Sequence, residues 1–139
     1  MLNTIVLAGY SGHSVAELAL VAKSMGALVV DIRLSPRSRM PQWNYASLTQ
    51  QMPKSYLHCP ELGNENYKRG EIRIANPEKG LDFVTHLAQL RPLILLCICK
   101  EAEHCHRTTV GEMLQLQGYE VEELAWPHVE LSTQVEETA

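Results

Sequence analysis

Residues 93–107, Leu-Ile-Leu-Leu-Cys-Ile-Cys-Lys-Glu-Ala-Glu-His-Cys-His-Arg, constrain this chain more than any other stretch. The first seven, Leu93 to Cys99, are an unbroken apolar run directly after Pro92. A run of that length without polar alternation predicts a strand buried on both faces, as in parallel sheets covered by helices on both sides. From Cys99 to Arg107 the character changes to thiol, imidazole and charge, and a helical pattern follows. Open α/β sheets place their ligand sites where a buried strand gives way to such a loop and a helix N-terminus.

The rest of the chain repeats the alternation of strand and helix. Thr4 to Ala8 reads as a first strand and Gly9 to His13 as the loop after it. Ser14-Val15-Ala16-Glu17 has the capping-box pattern, Leu18, Val21, Ala22 and Met25 follow at helical spacing, and Gly26 suits the position past the helix end. Ala27 to Ile32 is a second buried strand, which leads into a loop rich in proline, serine and arginine. Asn44 can cap a short helix through about Gln51, and Ser55 to Cys59 reads as a brief third strand. The polar segment Pro60 to Ala75 is long for a compact domain, and such loops are usually functional or mobile. Asn76-Pro77-Glu78 starts another helix, which presents Leu81, Val84, Leu87 and Ala88 inward. The apolar run is the fourth strand, His106 to about Gln117 is the last helix, and Tyr119 to Leu124 is a fifth, half-exposed strand.

This pattern predicts one α/β domain over residues 1–126, a doubly wound, Rossmann-like three-layer sandwich with five mostly parallel strands. Residues 127–139 read as a polar acidic tail. The unusual loops follow strands one, two and four, and strand order 3-2-1-4-5 would bring them together, with the switch point between strands one and four.

Charge is unevenly placed. All 12 basic residues lie at or before Arg107, and six of the 16 acidic residues lie from Glu120 onward. Through Tyr119 the chain therefore carries 12 positive against 10 negative charges, too even for a general nucleic-acid binder. The longest apolar run, seven residues, is far short of a membrane span. The start reads as a strand rather than a leader, and Cys59, Cys97, Cys99 and Cys105 are not spaced like a secreted disulfide framework. These features lead us to expect a cytoplasmic protein that does not engage membranes.

Candidate chemistry concentrates at the loops. Gly9-Tyr10-Ser11-Gly12-His13-Ser14 offers glycines and a helix N-terminus, either a tight turn or an anion seat that would use Tyr10, Ser11 and Gly12. It is neither a Walker loop nor a dinucleotide fingerprint. His13, at this edge, would face the crevice. Asp31 and Arg33 share a face of the second strand, where they form either a structural pair or a carboxylate and guanidinium presented to a ligand. With Arg37 and Arg39 they put three arginines within seven residues, a candidate phosphate or carboxylate cradle. Cys97 reads as core. Cys105, at a helix start beside His106 and Arg107, is either a reactive thiol or a packing residue. A phosphatase loop of the Cys-x5-Arg type needs cysteine where Glu101 stands, because Cys99 lies eight residues before Arg107. A second cysteine knuckle for structural zinc is absent, although Cys99, Cys105 and His106, with His104 or His13 nearby, could hold a metal.

Taken together, Gly9 to Ser14, Asp31-Ile32-Arg33 with Ser35-Pro36-Arg37-Ser38-Arg39, Pro60-Glu61-Leu62-Gly63, and Leu96 to Glu101 through Cys105-His106-Arg107 resemble the family called domain of unknown function 488. The resemblance covers roughly residues 4–124. It implies a compact α/β domain with one site built from these loops, and it implies no particular reaction or cofactor. The family pattern has a single cysteine near this strand end, whereas this chain has two.

Three functional expectations follow. In the first, a hydrolase or transferase acts on an anionic, phosphate-bearing ligand such as a nucleotide or nucleic-acid end. Arg33, Arg37, Arg39 and Arg107 would hold the anion, and Asp31, Glu101 or His13 would act as acid or base. In the second, a thiol- or metal-dependent redox module works through Cys99, Cys105, His106 and His13. In the third, the same pocket serves a regulatory binding domain without turnover.

Overall fold

The computed structural model describes residues 3–68, 70–99 and 105–127. Five strands form one wholly parallel sheet: β1 (Ile5–Gly9), β2 (Leu28–Asp31), β3 (Tyr56–His58), β4 (Leu93–Cys97) and β5 (Val121–Glu123). Four α-helices join them: α1 (Val15–Met25), α2 (Tyr45–Gln51), α3 (Pro77–Ala88) and α4 (His106–Leu116). Among the described residues, no helix is long and apolar enough to cross a membrane. Twelve of the thirteen residues from 127 to the end lie outside the described residues, and the expected acidic tail lies with them.

Local sequence accounts for the helix ends. Ser14 accepts from the Glu17 backbone N–H, and the Glu17 carboxylate accepts from the Ser14 N–H, closing the capping box of α1. Asn76 accepts from the Lys79 N–H at the start of α3, and Pro77 follows where a missing N–H costs nothing. Asn44 precedes α2 but spends its side-chain oxygen on the Ser38 N–H, 2.6 Å away, so it braces the loop after β2 rather than the helix.

Alternation along the buried strands divides the core into two layers. On one face, Val15, Leu18 and Ala22 of α1 and Leu48 of α2 pack on Val6, Ala8, Val29, Ile94 and Leu96. On the other, Val84 and Ala88 of α3 and Val110 and Leu114 of α4 pack on Ile5, Leu7, Val30, Leu93, Leu95 and Cys97. Helices on both faces of a parallel sheet make the three-layer sandwich that the sequence predicts.

The strand order corrects the sequence expectation. It is β3-β2-β4-β1-β5, not 3-2-1-4-5. Either order keeps strands one, two and four contiguous, so loop convergence could not choose between them. The central position falls to the most apolar strand: every residue of β4 has zero exposure, while Val6 and Leu7 of β1 keep 7% and 6%. β4 also ends at Cys97 rather than Cys99, since Ile98 turns out to 47% exposure. From the neighbours β2 and β4 the chain departs toward opposite sheet edges, to β3 and to β5. The switch point, and the crevice that forms there, therefore lies between β2 and β4 rather than between β1 and β4.

Candidate functional site

A cavity of about 420 Å³ opens at this switch point. Arg33, Leu34, Ser35 and Arg37, which follow β2, form one side. Ile98 and Cys99 after β4, with His106 at the start of α4, form the other, and Asn64 and Tyr67 close the rim. Gly63 makes this enclosure possible. A Cβ there would stand 2.5 Å from Leu34 Cα and 2.6 Å from its nitrogen, so only glycine lets the 60–68 loop lie against the loop after β2.

Arg33 is fixed by a buried network. Its Nε donates to Asp31 Oδ1 at 2.8 Å, Nη2 donates to Asp31 Oδ2 and to the Trp43 carbonyl, and Nη1 donates to the Tyr10 hydroxyl at 3.1 Å. The Tyr56 hydroxyl donates to Asp31 Oδ2, and the Arg33 backbone N–H donates to Oδ1. Tyr10 stacks on Trp43, with centroids 4.2 Å apart, and Arg33 lies over the Tyr10 ring. Burial alone would lower the Arg33 pKa, but the hydrogen bonds and charge of Asp31 outweigh it and raise it. Burial and the same carboxylate also raise the Tyr56 hydroxyl. Asp31, with zero exposure, is thus the structural partner of Arg33. Four of the guanidinium's five N–H groups are committed, which leaves one on Nη1 at the cavity wall. His58 adds a further tie, with Nε2 donating to the Arg33 carbonyl at 2.8 Å.

Arg37 is different. Its side chain is exposed at the crevice, and among the described residues it has no hydrogen bond or ion pair. No carboxylate lines the cavity among the described residues. Asn64 accepts from the Asn66 and Arg73 N–H groups through Oδ1, so its amide NH₂ is the part that can meet a ligand.

The other sequence candidates fall elsewhere. His13 stacks on Trp126 with centroids 4.0 Å apart, bonds to Glu17 at 3.3 Å, and does not line the cavity. The Tyr10 and Ser11 N–H groups donate to the Cys97 and Ile98 carbonyls, and Gly12 takes a positive φ of 87° in the turn. The Glu17 carboxylate already occupies the N-terminus of α1, so the loop at Tyr10, Ser11 and Gly12 serves as a turn and a tie to β4. Arg39 is exposed and outside the cavity lining. Glu101 and His104 lie outside the described residues.

Arg107, 2% exposed, binds inward. Nε and Nη2 donate to the Glu123 carboxylate of β5, and Nη1 donates to the Cys99 carbonyl at 2.7 Å and to Cys97 Sγ at 3.3 Å. Gly9 is where this contact demands a missing side chain, because a Cβ would fall 1.6 Å from the Cys99 oxygen and 2.7 Å from Arg107 Nη1. A glycine allows close backbone approach, and here the group that approaches is the chain's own Cys99 carbonyl.

Beside the cavity lies a group that the sequence only half assembled. The sulfurs of Cys97, Cys99 and Cys105 all lie within 4.8 Å of one another, and Cys97 and Cys105 are 2.7 Å apart. Hydrogen bonds from the Cys97 and Cys99 thiols, outweighing burial, hold Cys105 far below the usual thiol range. Burial and the bond to Cys105 push Cys97 well above it. The sequence assigned Cys97 to the core, and it is core, but its sulfur also faces this group. His106 Nε2 meets the Ile32 carbonyl at 2.8 Å, and since a carbonyl only accepts, Nε2 carries the hydrogen. Nδ1 lies 4.0 Å from Cys105 Sγ.

Asn64, Tyr67 and His58 were not singled out as site residues. The length and polarity of the 60–75 loop pointed at the first two, and the strand-end position that singled out Arg33 applies equally to His58. Comparison with curated proteins and with solved structures gave no match. The family model described as domain of unknown function DUF488 matches residues 15–114 of the 139, a span that holds β2, β3, β4, the first three α-helices, most of α4 and every lining residue of the crevice, and the chain belongs to that family.

Proposed function

We propose that the crevice between β2 and β4 binds a small anionic ligand that carries a phosphate, a nucleotide or a nucleic-acid end, and that the domain acts on it as a hydrolase or transferase. The observation that carries this reading is the Arg37 guanidinium, without a hydrogen bond or ion pair among the described residues, on a cavity with no carboxylate among its described lining residues. A cleft lined by one sign of charge concentrates ligands of the other. Arg33 supports the reading as a rigid wall, since it lines the cavity and Asp31 fixes its orientation. The volume suits a mononucleotide. Tyr67, 66% exposed at the rim, offers a face on which a base can stack. The four free cysteines fit a reducing compartment and hence the cytoplasm.

Calorimetric titration of the full chain with inorganic phosphate and with nucleoside monophosphates tests this. Arg37→Ala should weaken binding by about 1.5–3 kcal/mol, the worth of a charge-assisted hydrogen bond. Arg39→Ala, outside the lining, should leave it unchanged. Equal affinity in the parent chain and Arg37→Ala, or no binding by either, would refute the assignment.

A further inference from the structure

We infer that Cys97, Cys99 and Cys105 form a three-thiolate site for a single zinc ion, with its fourth coordination position open to the crevice. This stands whether or not the crevice takes an anion. The fold, not sequence spacing, assembles the group: Cys97 ends β4, Cys99 lies two residues beyond, and Cys105 immediately precedes α4. All three sulfurs lie within 4.8 Å of one another. In a tetrahedral site with Zn–S bonds of about 2.3 Å, neighbouring sulfurs stand about 3.8 Å apart. To reach that spacing the Cys97 and Cys105 sulfurs would part by about 1 Å from their 2.7 Å contact.

At 2.7 Å, the Cys97 and Cys105 sulfurs are in direct contact, longer than a disulfide bond of about 2.05 Å and shorter than the spacing around one zinc ion, so a covalent bond and a shared ion are the two states this pair can relax to. Two observations favour the ion. A disulfide uses two sulfurs and gives the third no reason to converge, whereas a metal uses all three. The surroundings are also built for negative sulfur. Arg107 Nη1 stands 3.3 Å from Cys97 Sγ, in addition to its pairing with Glu123, and the N-terminal end of α4 adjoins Cys105. A disulfide carries no charge for these groups to meet.

The open position follows from exposure. Cys97 and Cys105 are buried, at zero and 1% exposure, while Cys99 and His106 line the crevice. Among the described residues these three cysteines are the ligands, and three protein ligands with one position left for water or substrate is the pattern of a zinc site that does chemistry rather than one that only holds the fold. His106 borders that position. Its Nε2–H is anchored on the Ile32 carbonyl, and Nδ1 stays 4.0 Å from the Cys105 sulfur. Binding forms three Zn–S bonds, and each thiol that was protonated releases its proton to solvent, so affinity rises with pH.

The test uses the full chain, purified without a histidine tag and kept reduced. Elemental analysis should give stoichiometric zinc. Exchange for cobalt(II) should give the sulfur-to-cobalt charge-transfer absorption of a thiolate site. Cys99→Ser and Cys105→Ser should each lose zinc to a chromogenic chelator at concentrations the parent chain withstands, while Cys59→Ser, outside the group, should retain it. Since the buried variants could fail to fold, an organomercurial titration of the parent chain gives an independent reading, with zinc released in step with thiol capture. Absence of zinc after reconstitution under reducing conditions overturns the proposal. So does a Cys97–Cys105 disulfide in protein kept reduced, or zinc retained by both serine variants.

Discussion

Replacing Asp31 with asparagine removes the charge around which Arg33 is organised. The carboxylate accepts from Arg33 Nε, Nη2 and backbone N–H and from the Tyr56 hydroxyl, with zero exposure. Asparagine keeps the shape and one acceptor oxygen, but its NH₂ would face Nη2, donor against donor. The guanidinium, 6% exposed, would stay charged without a counter-charge. Breaking a buried ion pair from one side costs about 3–5 kcal/mol, chiefly because the remaining charge is stranded. Against a total stability of about 5–15 kcal/mol, that loss should be plain in urea unfolding followed by circular dichroism. Combining Asp31→Asn with Arg33→Met removes the stranded charge and should recover part of the loss, so a double-mutant cycle should show strong coupling. A folded Asp31→Asn protein within about 1 kcal/mol of the parent would refute the reasoning. Full stability with lost phosphate binding would instead return Asp31 to a role at the ligand.

Two further outcomes follow from the same geometry. Gly9→Ala puts a Cβ against the Cys99 carbonyl and Arg107 Nη1, so it should combine overpacking of about 1–3 kcal/mol with a weakened charge-assisted hydrogen bond of similar worth; an unchanged urea midpoint would show that the 99 segment yields freely. Burial, with help from the Glu61 carboxylate and against a backbone hydrogen bond from Leu62, pushes the Cys59 thiol up to about 11 from an ordinary 9.0. The unfolded chain therefore ionises first, so stability is complete below pH 9 and falls as pH rises toward 11. Cys59→Ser should lose less stability than the parent across that window, and parallel alkaline unfolding curves would argue against it.

How much of this was legible in sequence depends on the range of the interaction involved. The capping box at Ser14 and Glu17, the proline start of α3 and the apolar run of β4 are local, and spacing alone determined them. Two-sided burial of the strands followed from their lack of alternation, and with it the three-layer α/β class. The strand order was not local. Any order that kept strands one, two and four together satisfied the loops, and the choice fell to which strand best tolerates complete burial. That choice moved the crevice to the gap between β2 and β4, and it decided which charges face the crevice. Arg33, Arg37 and Arg107 look alike in sequence, yet the first is locked to Asp31, the second lines the cavity with no side-chain partner among the described residues, and the third is turned inward to Glu123 and Cys97. Sequence separation hid the thiol group in the same way. The strand end sends Cys97 and Cys99 up, the start of α4 returns Cys105 beside them, and only the packing of that helix on the sheet sets their sulfurs within reach of one ion.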